Sequence, residues 1–159
     1  MPLKLRTREI PLVKFRRVLP EFLGPGGECF FEVDARAGGL VNIAYAAGRE
    51  RVILAAKVMD RGYWEEKDDA TWVAANDTAK RQGIRDMIGV MYDTCIIEWR
   101  TNIIDADTDK PLICDRATFM GLLEVDAWPE VSNAVADAHA AIMAAGAAVL
   151  EEDAKTIKN

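Results

Sequence analysis

Glu28-Cys29-Phe30-Phe31-Glu32-Val33-Asp34-Ala35-Arg36 alternates with a period of two. Cys29, Phe31, Val33 and Ala35 share one face, and Glu28, Glu32, Asp34 and Arg36 share the other with Phe30, which is the signature of a half-buried strand. Residues 10–19 mix Ile, Val and Phe with charges and read as a first strand. Between the two lies Leu23-Gly24-Pro25-Gly26-Gly27, whose proline fixes a turn and whose glycines accept positive φ, so the pair reads as a hairpin. A lone hairpin is marginal in water and needs helices or another chain to lean on.

From Gly39 the period becomes helical. Leu40, Ile43, Ala44, Ala47, Val52, Leu54, Ala55, Val58 and Met59 recur at steps of three and four as far as Asp60-Arg61-Gly62, with Gly48 a point of bending. A polar connection, 63–69, follows, and Asp68 or Asp69 is placed to cap the next helix. That helix is expected over about Ala70 to Trp99, its stripe traced by Trp72, Ala75, Ala79, Ile84, Met87, Ile88, Met91, Cys95 and Trp99. Gly83 and Gly89 inside it point to close packing or a kink. After a loop at 102–114, Asp115 opens a short helix through Leu123. Pro129 starts a last helix to about Ala154, where a missing amide hydrogen costs little.

At 159 residues the chain is expected to be a single domain, 1–159. It divides into a basic arm and first strand (1–20), a hairpin turn and second strand (24–36) and a helical body (39–159). The fold expected is mainly α with a small N-terminal β-hairpin, an α+β protein of about four to five helices. Half of the residues are apolar and 29% are charged, an ordinary globular mixture. No uncharged apolar run approaches the ~20 residues of a bilayer span, so no membrane partner is expected. Cys29, Cys95 and Cys114, without CxxC spacing and each among apolar neighbours, read as buried thiols of a reducing compartment.

The net charge of −6 is uneven, because Lys4, Arg6, Arg8, Lys14, Arg16 and Arg17 face only Glu9 within residues 1–20. The rest is strongly acidic, which argues against nucleic acid as the main ligand. The basic arm reads either as a solvated segment or as one that docks on an acidic partner or on the acidic face of a sister subunit.

Chemistry is hard to find. His139 is the one histidine and has no cysteine or carboxylate at metal-ligand spacing, so no metal is expected. Asp105, Asp107 and Asp109 alternate as in a calcium loop, but Lys110-Pro111 stands where the glycine belongs and Arg116 where the glutamate belongs. Gly24-Pro25-Gly26-Gly27 lacks the phosphate-cradling pattern, and no cofactor is expected. Ser132 is the one serine and has no GxSxG around it, and Glu65-Glu66 and Glu151-Glu152 are neighbours in sequence rather than an acid/base pair. An enzyme is therefore not expected, and no residue is proposed as catalytic.

Partner-binding candidates remain. Met87 and Met91 read as adaptable anchors or as core residues. In the last helix Val131, Val135, Ala138, Ile142, Ala145 and Val149 form a heptad-like seam flanked by Ala134, Ala141 and Ala148, either an intramolecular core face or a seam for another helix. Met87, Met91, Val131, Val135, Ile142 and Val149 are accordingly the candidate partner-binding residues.

The order of several short pieces resembles the tail assembly chaperones of long-tailed bacteriophages, prophages and gene transfer agents. The pieces are Gly24-Pro25-Gly26-Gly27-Glu28 leading into Phe30-Phe31-Glu32-Val33, Ile97-Glu98-Trp99-Arg100, Asp109-Lys110-Pro111-Leu112-Ile113-Cys114-Asp115, Leu122-Leu123, Trp128-Pro129-Glu130 and the closing Lys155-Thr156-Ile157-Lys158-Asn159. The resemblance implies a helical protein with a small β element, made in the bacterial host cytoplasm and missing from the mature virion. Such proteins bind the tape measure protein, an extended helix-rich chain, and keep it soluble until tail tube subunits polymerise around it. Many are lengthened by frameshifting into a form that recruits the tail tube protein. Several copies line one client, so self-association is implied as well. Two competing readings are a structural tail-completion or connector subunit and a small regulatory protein that binds nucleic acid through its basic arm.

Overall fold

The computed structural model describes residues 9–63, 69–124 and 128–158, and the side chains of these outside 57–76. Strand β1 (Leu12–Leu19) pairs antiparallel with β2 (Cys29–Arg36), and β2 pairs antiparallel with β3 (Ile96–Thr101), in the order β1-β2-β3. Helices α1 (Ile43–Tyr63) and α2 (Asp69–Thr94) are inserted between the neighbouring strands β2 and β3. A short ladder, β4 (Ile104–Asp105) with β5 (Lys110–Pro111), leads to α3 (Arg116–Gly121) and α4 (Pro129–Lys158). The protein is thus mainly helical, with a three-stranded sheet built on the expected hairpin.

The alternation in β2 sets the layers. Cys29, Phe31, Val33 and Ala35 are each no more than 1% exposed, and in register with them stand Leu19, Phe15 and Val13 of β1 and Thr101 and Trp99 of β3. Phe31 is the hub of this face: its ring centroid lies 6.3 Å from Phe15, 6.0 Å from Trp99 and 6.0 Å from Phe119 of α3. The opposite face is a charged ladder. Glu32 accepts from Arg16 at 2.9 Å and from Arg100 at 3.2 Å, and Arg100 also reaches Asp34 at 3.2 Å. The hydrogen bond from Arg16, reinforced by Arg100, holds the Glu32 carboxyl below its ordinary range.

The expected helix over 70–99 ends sooner. α2 stops at Thr94, whose hydroxyl donates to the Val90 carbonyl at 2.6 Å, and the Cys95 carbonyl then accepts from the Arg36 amide of β2 at 2.8 Å. The chain from Ile96 is therefore a strand. Its register shifts between Asp34 and Ala35, where Ile97 is the extra residue of a bulge. Asn42, only 3% exposed, ties this corner together. Its amide donates to the carbonyls of Ala37 and Thr94, and its oxygen caps α1 by accepting from the Tyr45 amide. Asp115 caps α3 as its position suggested, accepting from the Thr118 amide at 2.8 Å.

The loop expected at 102–114 contains the β4–β5 ladder, and the last helix runs four residues beyond Ala154, to Lys158. The Asp68 cap, the arm 1–8 and the stripe positions Val58, Met59, Trp72 and Ala75 lie outside the residues, or side chains, that are described. Of the cysteines, Cys29 and Cys95 are buried, and burial pushes both thiols up; Cys114 is exposed, which corrects the expectation for it. The 30 residues of α4 have the length and hydropathy of a bilayer span. The same properties suit a core helix, and Val131, Ala134, Val135, Ala138, Ile142 and Gly146 of this one are buried against the domain.

The two interior glycines of α2 differ. A Cβ at Gly89 would meet the Arg116 guanidinium at 3.2 Å, so this glycine serves close packing with α3, whereas nothing lies within 4 Å of one at Gly83. Gly83→Ala is therefore expected to stabilise the protein by about 1 kcal/mol, read by urea denaturation, because only the backbone entropy of the unfolded chain changes.

His139 joins α4 to α1 through Tyr45, with Nε2 3.1 Å from the phenol oxygen. Burial lowers its pKa below the ordinary 6.5, so the unfolded chain takes up the proton first. Stability is then full above about pH 6.5 and falls as pH drops below it, down to the folded-state pKa. Because the chain has one histidine, melting curves between about pH 7.5 and 5.5 isolate the effect. The expected result is a lower melting temperature at the acid end, and a His139→Gln chain should show a flatter profile.

Candidate partner-binding surfaces

α1 buries a narrow stripe and exposes a broad apolar one. Tyr45 and Gly48 face inward together with Val41 just before the helix and half-buried Val52, a spacing of four, three and four. Gly48 permits the approach to α2, since a Cβ there would stand 2.6 Å from a Val90 methyl. On the outer side Leu40 is 70% exposed, Ile43 82%, Ile53 37% and Leu54 54%. With Ala46 and Ala47 between them they line a shallow groove, edged by Arg49 and Glu50. Apolar side chains at helical spacing over three turns, open to solvent, are the arrangement that receives the apolar face of another helix.

A second surface lies at the far end of the hairpin. Pro20 starts a 3-10 turn over Glu21–Leu23, closed by the Leu23 amide on the Pro20 carbonyl and the Gly24 amide on the Glu21 carbonyl, both at 3.1 Å. The chain then passes so close to Cys29 that a Cβ at Gly24 would stand 3.1 Å from the cysteine's Cβ. This turn carries Phe22 outward, 65% exposed, to meet the Trp128 ring at 4.7 Å between centroids. Trp128 is itself held by its carbonyl, which accepts from the Val131 amide in the first turn of α4.

Phe22, Trp128 and Pro25 wall a cavity of about 830 Å³ whose floor is Leu23, Ile103, Leu112, Leu122 and Val131. Asp105 and Asp109 stand at its edge. Their turn is built by the Asp107 amide on Asp105 Oδ1 at 2.9 Å and the Asp109 amide on the Asp105 carbonyl at 2.8 Å, with Asp109 at φ 54°. Asp105 thus spends a carboxylate oxygen on its own turn. Among the described residues no group of histidine, cysteine, aspartate or glutamate could hold a metal ion. Gly24, Pro25, Asp109, Leu112, Leu122 and Trp128, from stretches far apart in the sequence, meet around this cavity.

Of the candidate partner-binding residues, Met91, Val135 and Ile142 are fully buried and Val131 is 3% exposed. Met87 is half-buried against the same core, and Val149 is half-buried near the end of α4. The seam of α4 and the methionine stripe of α2 therefore form the protomer's interior, a correction for Met91, Val131, Val135 and Ile142 as surface anchors. Val131 also lines the floor of the cavity beside Phe22 and Trp128. The exposed face of α1 was legible as an apolar stripe, since Ile43, Ala47 and Leu54 belong to it and Leu40 extends it in the turn before the helix. Phe22 and Trp128 carried no spacing signal, because they come together only through the fold.

Comparison with models of protein families, with curated proteins and with solved structures finds no match for this chain.

Proposed function

We propose that this protein is a non-enzymatic tail assembly chaperone, acting in the bacterial cytoplasm on a tape measure protein and helping to recruit tail tube subunits. The reading starts from the resemblance of its sequence pieces to that family. The observation that carries it furthest is the uncovered apolar face formed by α1 and the turn before it, with Ile43 82% and Leu40 70% exposed. A client with long apolar helices aggregates unless another helix shields it, and a helix-length apolar face on an acidic body answers that need. The polar edge of Arg49 and Glu50 keeps such a face soluble while it is empty.

The test is co-expression with a tape measure protein taken from the genes neighbouring its own. The parent chain should raise the soluble fraction of the client severalfold and co-purify with it. A double substitution, Ile43→Glu with Leu54→Glu, lies on the solvent side and should leave the melting curve unchanged while abolishing both effects. Equal rescue by parent and variant would count against the face, and no rescue by either would count against the chaperone. Mass spectrometry of purified particles adds a check, since a chaperone is missing from them.

A further inference from the structure

We infer that the cavity between Phe22 and Trp128 receives residues 1–8 of a second copy of this chain. The inference deepens the chaperone reading by naming the contact through which copies would associate, and it uses a surface distinct from α1.

The cavity and the arm are complementary. The cavity has an apolar floor and an aromatic wall, with Asp105 and Asp109 at its edge and Asp107 exposed in the same turn. Outside the lining, Glu21 adjoins Phe22 and Glu130 lies two residues after Trp128, both exposed; Lys110 is the cation of the Asp105–Asp109 turn. Residues 1–8 read Met1-Pro2-Leu3-Lys4-Leu5-Arg6-Thr7-Arg8. An extended backbone through that sequence sets Leu3 and Leu5 on one side and Lys4, Arg6 and Arg8 on the other. Leucines on the floor and cations toward the acidic edge satisfy both at once. At about 830 Å³ the cavity is within the range of small-molecule pockets and suits a few extended residues.

The direction of the chain favours a second copy. The chain before β1 is held where the Pro11 carbonyl accepts from the Ala37 amide at 2.8 Å, whereas the cavity opens at Phe22, beyond the other end of β1. Eight residues of strand separate the two ends, about 26 Å. Within one molecule the arm would have to reverse and run the whole strand. An arm supplied by a neighbouring copy needs no such reversal, and the exchange closes as a two-fold dimer where it is reciprocal and repeats into a ring or filament where it runs one way.

The test is a charge exchange in the full chain. Variant one carries Lys4→Glu, Arg6→Glu and Arg8→Glu. Variant two carries Ala106→Lys and Asp109→Asn, asparagine tolerating the left-handed backbone at that position. Sedimentation and light scattering should show salt-sensitive self-association of the parent. Each variant alone should associate at least tenfold more weakly with an unchanged melting curve, and an equimolar mixture of the two should recover association. A parent that stays monomeric would overturn the inference. So would association indifferent to the arm's charge, or a mixture that fails to recover. A monomer whose tryptophan fluorescence responds to arm reversal, the response being lost in a Trp128→Phe chain, would assign the arm to its own cavity and overturn the second copy. Client rescue is read separately through Ile43 and Leu54, so failure here leaves the chaperone test untouched.

Discussion

A Gly146→Val chain is expected to lose about 4 kcal/mol of folding stability, measured as a shift of the urea midpoint at unchanged slope. A Cβ at this position would lie 2.0 Å from the Gly38 carbonyl oxygen, 3.0 Å from its carbon and 3.3 Å from a Val41 methyl. The obstacle is backbone, and that backbone cannot easily yield. The Gly38 amide donates to the Ile142 carbonyl of α4 at 3.1 Å, and the Asn42 side chain holds the Ala37 carbonyl. Gly39 turns the chain at φ 75°. Overpacking accounts for about 3 kcal/mol and the lost hydrogen bond for about 1 kcal/mol. Alanine should cost less, because helix propensity returns about 1 kcal/mol. The contrast with Gly83→Ala, a helical glycine expected to improve on substitution, makes the claim specific: if Gly146→Ala were also stabilising, the close contact of α4 with residues 38–41 would be wrong.

Phe31→Ala is expected to cost about 3–5 kcal/mol, while Phe30→Ala next to it should cost about 1 kcal/mol. Phe31 is 1% exposed and its ring joins β1, β3 and α3, so its removal leaves a cavity that three elements border. Phe30 points to the charged face, where its ring lies 5.4 Å under the Arg16 guanidinium. Paired denaturation curves for the two variants decide the matter. Similar losses would mean that the strand is not seated in the register Phe31↔Arg17 and Phe31↔Thr101.

The difference between neighbouring phenylalanines was already visible in the alternation of 28–36, because a half-buried strand writes its two faces directly into its sequence. The third strand was not. Met91, Cys95 and Trp99 are spaced by four, and four is compatible with both a helical face and a strand face, so the helical reading ran on past its true end. What distinguished the two was composition: Ile96, Ile97, Trp99 and Thr101 favour a pleated surface over a helix. The seam of α4 was read correctly as apolar and small, yet spacing cannot say whether a sister helix or the same chain's sheet covers it. The cavity walled by Phe22 and Trp128 gathers residues from five stretches of chain, from 22–25 to 128–131. No local pattern encodes such a meeting.

The placement of β3 has a bearing on how the protein is made. Its partner β2 ends at Arg36 and β3 begins at Ile96, with α1 and α2 between them, so closing this pair means closing a long loop whose entropy cost precedes any reward. Trp99 and Phe119, which seal Phe31, and α4, which covers β1 and β2, come later still. On the ribosome the hairpin therefore emerges before the elements that cover it, its greasy side awaiting α4. A nascent chain stalled before α4 would be the most aggregation-prone form of this molecule.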